Sequence, residues 1–186
     1  MAQTTLAGSF TDPPQDAAQA FRGIMQAMAR PGQIETVGGV QPPASLSVAA
    51  ATLLLTLCDP DTGLHLAGTC DTPAVRGWIT FHTGAPFVAA ADATFVLGAW
   101  DDIDLSVLPI GTPEYPDRSA TVIVEVPDLA HTGATLRGPG IKDSATLNLP
   151  AITAFQHNAA LFPLGLDFFF TSGAALAALP RSTKVT

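Results

Sequence analysis

Three consecutive phenylalanines, Phe168-Phe169-Phe170, constrain this chain more than any other stretch. They lie in the run Leu166 to Thr171, whose aromatic and apolar composition reads as a strand. Successive side chains of a strand point to opposite faces, so three adjacent aromatics load both faces of a sheet. Neither face can be left to water, and layers must pack on both. The stretch from Pro42-Pro43 through Leu57 adds a second constraint. It reads as a helix that is apolar nearly all round, which means burial on most sides.

Punctuation along the chain places further elements. Asp12-Pro13-Pro14 reads as a capping residue followed by proline in the first turn. Ala17, Phe21, Ile24, Met25 and Met28 then recur at helical spacing, and Pro31-Gly32 stops that helix at Arg30. Asp71-Thr72-Pro73 repeats the signal and predicts a short helix from Ala74 to Phe81. Ile34 to Val37, Leu64 to Leu66, Ala93 to Leu97 and Ala120 to Val126 read as strands, and Ala151 to Leu161 as a helix. Gly111 to Pro116 reads as a loop, and Gly138-Pro139-Gly140 as a tight turn. Helices and strands thus alternate. The expected fold class is α/β, a mixed β-sheet sandwiched between helices, in a single domain over residues 1–186.

Charge limits the partners. Asp, Glu, Lys and Arg make up 13% of the 186 residues, against about 25% in typical soluble domains. Counting glycine, about 55% of the chain is apolar, where about 45–50% is usual. Either another chain covers part of the surface, or small alanine-type residues line it. A net charge of −8 argues against nucleic acid. The longest apolar run, Leu46 to Cys58, is too short to span a membrane. Met1 to Leu6 lacks the basic and apolar regions of a signal peptide, so the cytoplasm is expected. Cys58 and Cys70 are read as buried free thiols.

Motifs for independent chemistry are absent. The four histidines, His65, His82, His131 and His157, show no metal-ligand spacing with each other or with cysteine, and no metal is expected. His82 ends a predicted helix, where helix-end packing and ligand contact both remain open. Gly138-Pro139-Gly140-Ile141-Lys142 fails as a phosphate loop, because Pro139 has no N–H and no Ser or Thr directly follows Lys142. There is no GxSxG elbow and no GxGxxG fingerprint.

Three segments nevertheless resemble one family closely. They are Phe21-Arg22-Gly23-Ile24-Met25-Gln26-Ala27-Met28-Ala29-Arg30-Pro31-Gly32, then Trp78 to Pro86, then Phe162-Pro163-Leu164-Gly165-Leu166-Asp167 followed by Leu179-Pro180-Arg181-Ser182-Thr183-Lys184-Val185. Gly111-Thr112, Pro116 and Leu136-Arg137-Gly138-Pro139-Gly140-Ile141 lie between them in the right order. The set resembles the PhnH family of the carbon–phosphorus lyase system. Ser182 and Lys184 depart from the family's usual Thr and Arg, and keep a hydroxyl and a charge.

The resemblance implies a fold related to the large domain of pyridoxal-phosphate-dependent transferases, without that cofactor. It implies a homodimer inside a core complex with PhnG, PhnI and PhnJ. That complex, with PhnL, transfers an alkylphosphonate to the ribose C1 of ATP and releases adenine, giving a ribose 1-phosphonate 5-triphosphate. The cluster-bearing subunit that later breaks the carbon–phosphorus bond is PhnJ; two lone cysteines here cannot hold a cluster. The chain is therefore read as an accessory subunit with no independent activity and no cofactor. A stand-alone transferase or small hydrolase, and a purely structural dimer, are the alternatives. Catalytic residues are not assigned. Arg30, His82, Arg137 and Arg181 are the interface or ligand candidates. The expected interface is the Gly111 to Pro116 loop with Leu179 to Val185, where Arg181 either grips a partner carboxylate or is solvated.

Overall fold

The computed structural model describes residues 7–186. The segment Met1 to Leu6, read above as no signal peptide, lies outside the described residues. Helix α1 (Pro13–Ala29) begins after Asp12, but the Asp12 side chain makes no capping bond. An N-cap oxygen serves the N–H of the second or third helical residue; Pro14 at the second has none, and Asp12 makes no bond to Gln15 at the third. Asp16 instead accepts from the Asp12 N–H at 2.9 Å. Strand β1 (Glu35–Thr36) follows.

Helix α2 (Val48–Leu57) starts five residues later than the Pro-Pro signal suggests. Leu46 N–H closes a turn on Pro43 O at 2.9 Å. Ser47, in extended conformation, then caps the helix by accepting from Ala50 N–H at 3.0 Å. A serine cap outcompetes a proline pair because it satisfies an orphan donor. After β2 (Leu64–Leu66), helix α3 (Pro73–Thr83) is capped by Thr72 and ends at Gly84, whose φ of 68° suits glycine. Strands β3 (Phe95–Ala99) and β4 (Thr121–Glu125) come next. Then follow β5 (Ala134–Arg137), β6 (Ala145–Leu147), α4 (Ile152–Ala160), β7 (Asp167–Ser172), β8 (Ala175–Leu179) and β9 (Lys184–Val185).

The main sheet has the order β1-β8-β7-β4-β3-β2. Strands β2, β3, β4 and β7 are parallel, while β8 and β1 add antiparallel neighbours at one side. A smaller antiparallel sheet has the order β6-β5-β9. Helices α1 to α3 cover one face of the main sheet around Leu53, Leu54, Trp78, Ile123 and Phe169. Helix α4 and the small sheet cover the other around Phe155, Phe168, Phe170, Leu136 and Val185. Phe168 and Phe170 thus face one layer and Phe169 the other, as the triplet requires. The Phe155 ring meets those of Phe168 and Phe170 edge-on, with centroids at 5.0 and 5.6 Å. The described residues form an α/β fold with a mixed sheet and four α-helices. Among the described residues no helix is long and apolar enough to cross a membrane.

Candidate functional site

Most of the motif segments, scattered in sequence, gather around the stretch between β8 and β9, while Trp78 to Pro86 stays with α3 on the other face of the main sheet. On one side two Pro-Gly turns pack against each other. Gln33 N–H closes on Arg30 O at 3.1 Å, with Pro31 at the second position and Gly32 (φ 90°) at the third. Ile141 N–H closes on Gly138 O at 3.2 Å, with Pro139 and Gly140 (φ 81°) in the same places. Both follow the type II pattern. A Cβ on Gly140 would lie 1.9 Å from Ala29 O, and one on Gly32 would lie 2.5 Å from the Ala145 Cβ. Glycine is required at both positions by close approach as well as by φ. The Gly138-Pro139-Gly140 turn is therefore a seat for the end of α1.

On the other side lies Arg181, only 13% exposed at its side chain. Its guanidinium pairs with Asp167: Nε reaches Oδ1 at 3.1 Å and Nη2 reaches Oδ2. Its backbone N–H donates to Asp167 Oδ1 at 2.8 Å. Nη1 donates to Pro116 O at 2.6 Å, and Nη2 also donates to Ser119 Oγ. The carboxylate that Arg181 grips thus belongs to its own chain. Its job is to tie the Gly111 to Pro116 loop and β7 to the C-terminal segment. Leu179, Thr183 and Val185 are buried, and within Leu179 to Val185 it is Lys184 that is exposed. The segment lacks a readable pattern because it is the end of a strand, a turn and a two-residue strand. The Thr183 hydroxyl is buried with no hydrogen-bond partner.

The other candidates are placed apart. Arg30 is the exposed C-cap of α1. His82 lies in the last turn of α3, edge-on to the Trp78 and Phe81 rings at 4.9 Å each. Arg137 is exposed at the end of β5, in register with Lys184 of β9. The geometry brings Arg137 to Lys184 and Arg30 to the neighbourhood of Gly140, and leaves His82 on α3.

Sequence reasoning missed Glu125. In open α/β sheets, ligands bind beyond the C-terminal ends of the parallel strands. Glu125 ends β4 there, half-buried, and its carboxylate accepts from Ser47 N–H at 2.7 Å and from Thr171 Oγ1 at 2.9 Å. The N-terminus of α2, the natural anion cradle of this edge, is filled by the protein's own carboxylate. Nothing in the local sequence of Glu125 announces this, since its partners lie 78 and 46 residues away. Among the described residues no three His, Cys, Asp or Glu side chains gather as a metal site.

Comparison with known proteins points one way. The family described as bacterial phosphonate metabolism protein (PhnH) matches residues 8–186. The chain is 38% identical over 189 residues to the alpha-D-ribose 1-methylphosphonate 5-triphosphate synthase subunit PhnH of Rhizobium meliloti (strain 1021). That match covers 96% of this chain and 94% of the relative. It is 29% identical over 174 residues to HtxG of Stutzerimonas stutzeri, provisionally named a C-P lyase subunit protein, covering 89% and 84%.

Proposed function

Because the chain belongs to the PhnH family of bacterial phosphonate metabolism proteins, we propose that it serves as a subunit of a carbon–phosphorus lyase core complex. In that role it supports transfer of an alkylphosphonate to the ribose C1 of ATP with adenine release. The observation that carries the reading is the match along nearly the whole length to a relative named as a synthase subunit. The geometry supports an accessory role in that transferase. The helix end where an α/β sheet would hold a phosphate is occupied by Glu125, and Arg181 is spent on Asp167.

The proposed setting is a cytoplasmic homodimer that binds PhnG, PhnI and PhnJ. The fold relation to pyridoxal-phosphate-dependent transferases belongs to the same reading, without the cofactor. A Schiff-base lysine needs an enclosing pocket, and Lys142 and Lys184 are both exposed around the small sheet.

Co-expression with PhnG, PhnI and PhnJ tests the proposal. The chain should co-purify with them, and light scattering should give the isolated protein twice its 19.1 kDa mass. With ATP and methylphosphonate, the isolated chain should release no adenine. Adenine release by the pure protein, abolished by a point substitution in it, would overturn the accessory role. Failure to co-purify would overturn the subunit reading.

A further inference from the structure

Charge is divided unevenly along this chain. Residues 1–128 contain 14 of its 16 acids and four of its eight bases, a net −10. Residues 129–186 contain Asp143 and Asp167 against Arg137, Lys142, Arg181 and Lys184, a net +2. Arg181 and Asp167 neutralise each other, which leaves three cations and Asp143 around the small sheet.

The fold sets two of these cations, Arg137 and Lys184, side by side. Leu136 and Val185 are cross-strand partners and both face the core. Side chains alternate along a strand, so the adjacent pair, Arg137 and Lys184, faces outward, and both residues are exposed. Thr135 pairs with Thr146, and Thr186 exchanges backbone hydrogen bonds with Thr135 at 2.7 and 2.9 Å. A row of threonines therefore lies beside the pair of cations. Like charges directly opposite on a sheet destabilise it. The described residues form two ion pairs, Arg76–Asp71 and Arg181–Asp167, and neither relieves Arg137 or Lys184. Folding gains nothing from this arrangement, whereas a negatively charged neighbour would gain from it.

We propose that the outer face of the β6-β5-β9 sheet, centred on Arg137 and Lys184, docks an acidic surface of another subunit of the complex. The inference rests on the subunit reading above and adds the surface and the sign of its charge. A protein surface fits better than a small anion. The face is one side of a three-stranded sheet, whereas small ligands are held in concave sites that surround them with donors. The clefts of about 320 Å³ beside α1 and about 390 Å³ beside α4 are lined by other residues. A two-fold contact between copies of this chain is disfavoured at this face, because it would bring two copies of the same cationic patch together.

The test measures binding of the full chain to a complex of the three companion subunits named above. Arg137→Gln/Lys184→Gln should weaken binding about tenfold, and Arg137→Glu/Lys184→Glu should weaken it further. Raising ionic strength from about 0.05 to 0.3 M should weaken wild-type binding and affect the Gln variant less. Arg22→Glu/Arg118→Glu, with the same charge change elsewhere, should bind like wild type. The Gln variant removes a repulsion, so its thermal midpoint should be no lower than that of wild type. Wild-type affinity in a folded Gln variant overturns the inference and leaves the subunit reading standing. If the wild type itself fails to bind, the subunit reading falls and this inference with it. A change in the mass of the isolated chain in either variant would assign the face to a second copy and overturn the proposal. Binding of inorganic tripolyphosphate that is lost in the Gln variant would assign it to a small anion and do the same.

Discussion

Cys58 and Cys70 are both buried, and burial is the largest cause of their raised pKa values. The Cys58 thiol is pushed up to about 12, with the Thr62 hydrogen bond opposing and the Asp59 charge assisting. The Cys70 thiol is pushed up to about 11, with the Glu125 and Asp102 charges adding to burial. Neither is a nucleophile near neutral pH, since the thiolate is the reactive form. The same shifts make a statement about stability. Above a pKa of about 9 the unfolded thiols ionise while the folded ones keep their protons. The unfolded state then binds fewer protons, so the stability these thiols contribute is lost as pH rises. Urea midpoints should therefore fall between about pH 9 and 11, and a Cys58→Ala/Cys70→Ala variant should fall less steeply over that window. Equal slopes would mean that the thiols are not shielded. Burial of both cysteines was legible from their apolar and turn settings, whereas the charges acting on Cys70 come from Asp102 and Glu125, distant in sequence.

Elements with strong local punctuation were readable before any coordinates. Pro31-Gly32 stops α1, and Thr72-Pro73 with Gly84 brackets α3, because proline and glycine act on their own backbone whatever surrounds them. Strand β8, Ala-Leu-Ala-Ala-Leu, carries no strand signal; it is a strand because the Gly173-Ala174 turn folds it back onto β7. Strands β6 and β9 are too short for any period to register, and they exist through pairing with β5. The start of α2 belongs to the same class. Its serine cap is local, but the carboxylate beside it arrives from β4. That carboxylate stabilises α2 through the helix dipole and supplies acceptors for Ser47 N–H and Thr171 Oγ1. Glu125→Ala should cost about 1–3 kcal/mol in urea unfolding, and Glu125→Gln less, because an acceptor remains. A neutral Glu125→Ala would mean that water replaces the carboxylate, leaving the end of α2 open to an outside anion.

At the scale of the molecule, the C-terminal segment closes the structure. Strand β8 belongs to the main sheet and β9 to the small one, so the four residues between them join the two sheets. Arg181 fastens that join to β7 through Asp167 and to the preceding loop through Pro116 and Ser119. Val185 is buried in the core beneath the small sheet, and Gln156 of α4 donates to its carbonyl at 3.1 Å. Before the fold is known, this segment reads as a free surface, since an arginine near a chain end is ordinarily solvated. What it does depends on pairings with Leu136, Arg137 and Asp167, none of which a local pattern can report. Deleting Pro180 to Thr186 would remove β9 and expose the apolar face of β5. It would also leave the Asp167 carboxylate, itself only 24% exposed, without its cation. Breaking one partner from such a pair costs about 3–5 kcal/mol when it is buried, and a core strand is lost besides. Total domain stability is only about 5–15 kcal/mol. The truncated chain should therefore show no cooperative thermal unfolding by circular dichroism. Arg181→Lys, which keeps the charge but not the two-pronged geometry, should fold with a lowered midpoint. A truncated chain that melts cooperatively near the wild-type midpoint would show that the two sheets hold together without the segment. Loss of folding would mean that the segment's family motif is kept for closing the domain, with Arg137 and Lys184 on its outer face left to meet other subunits.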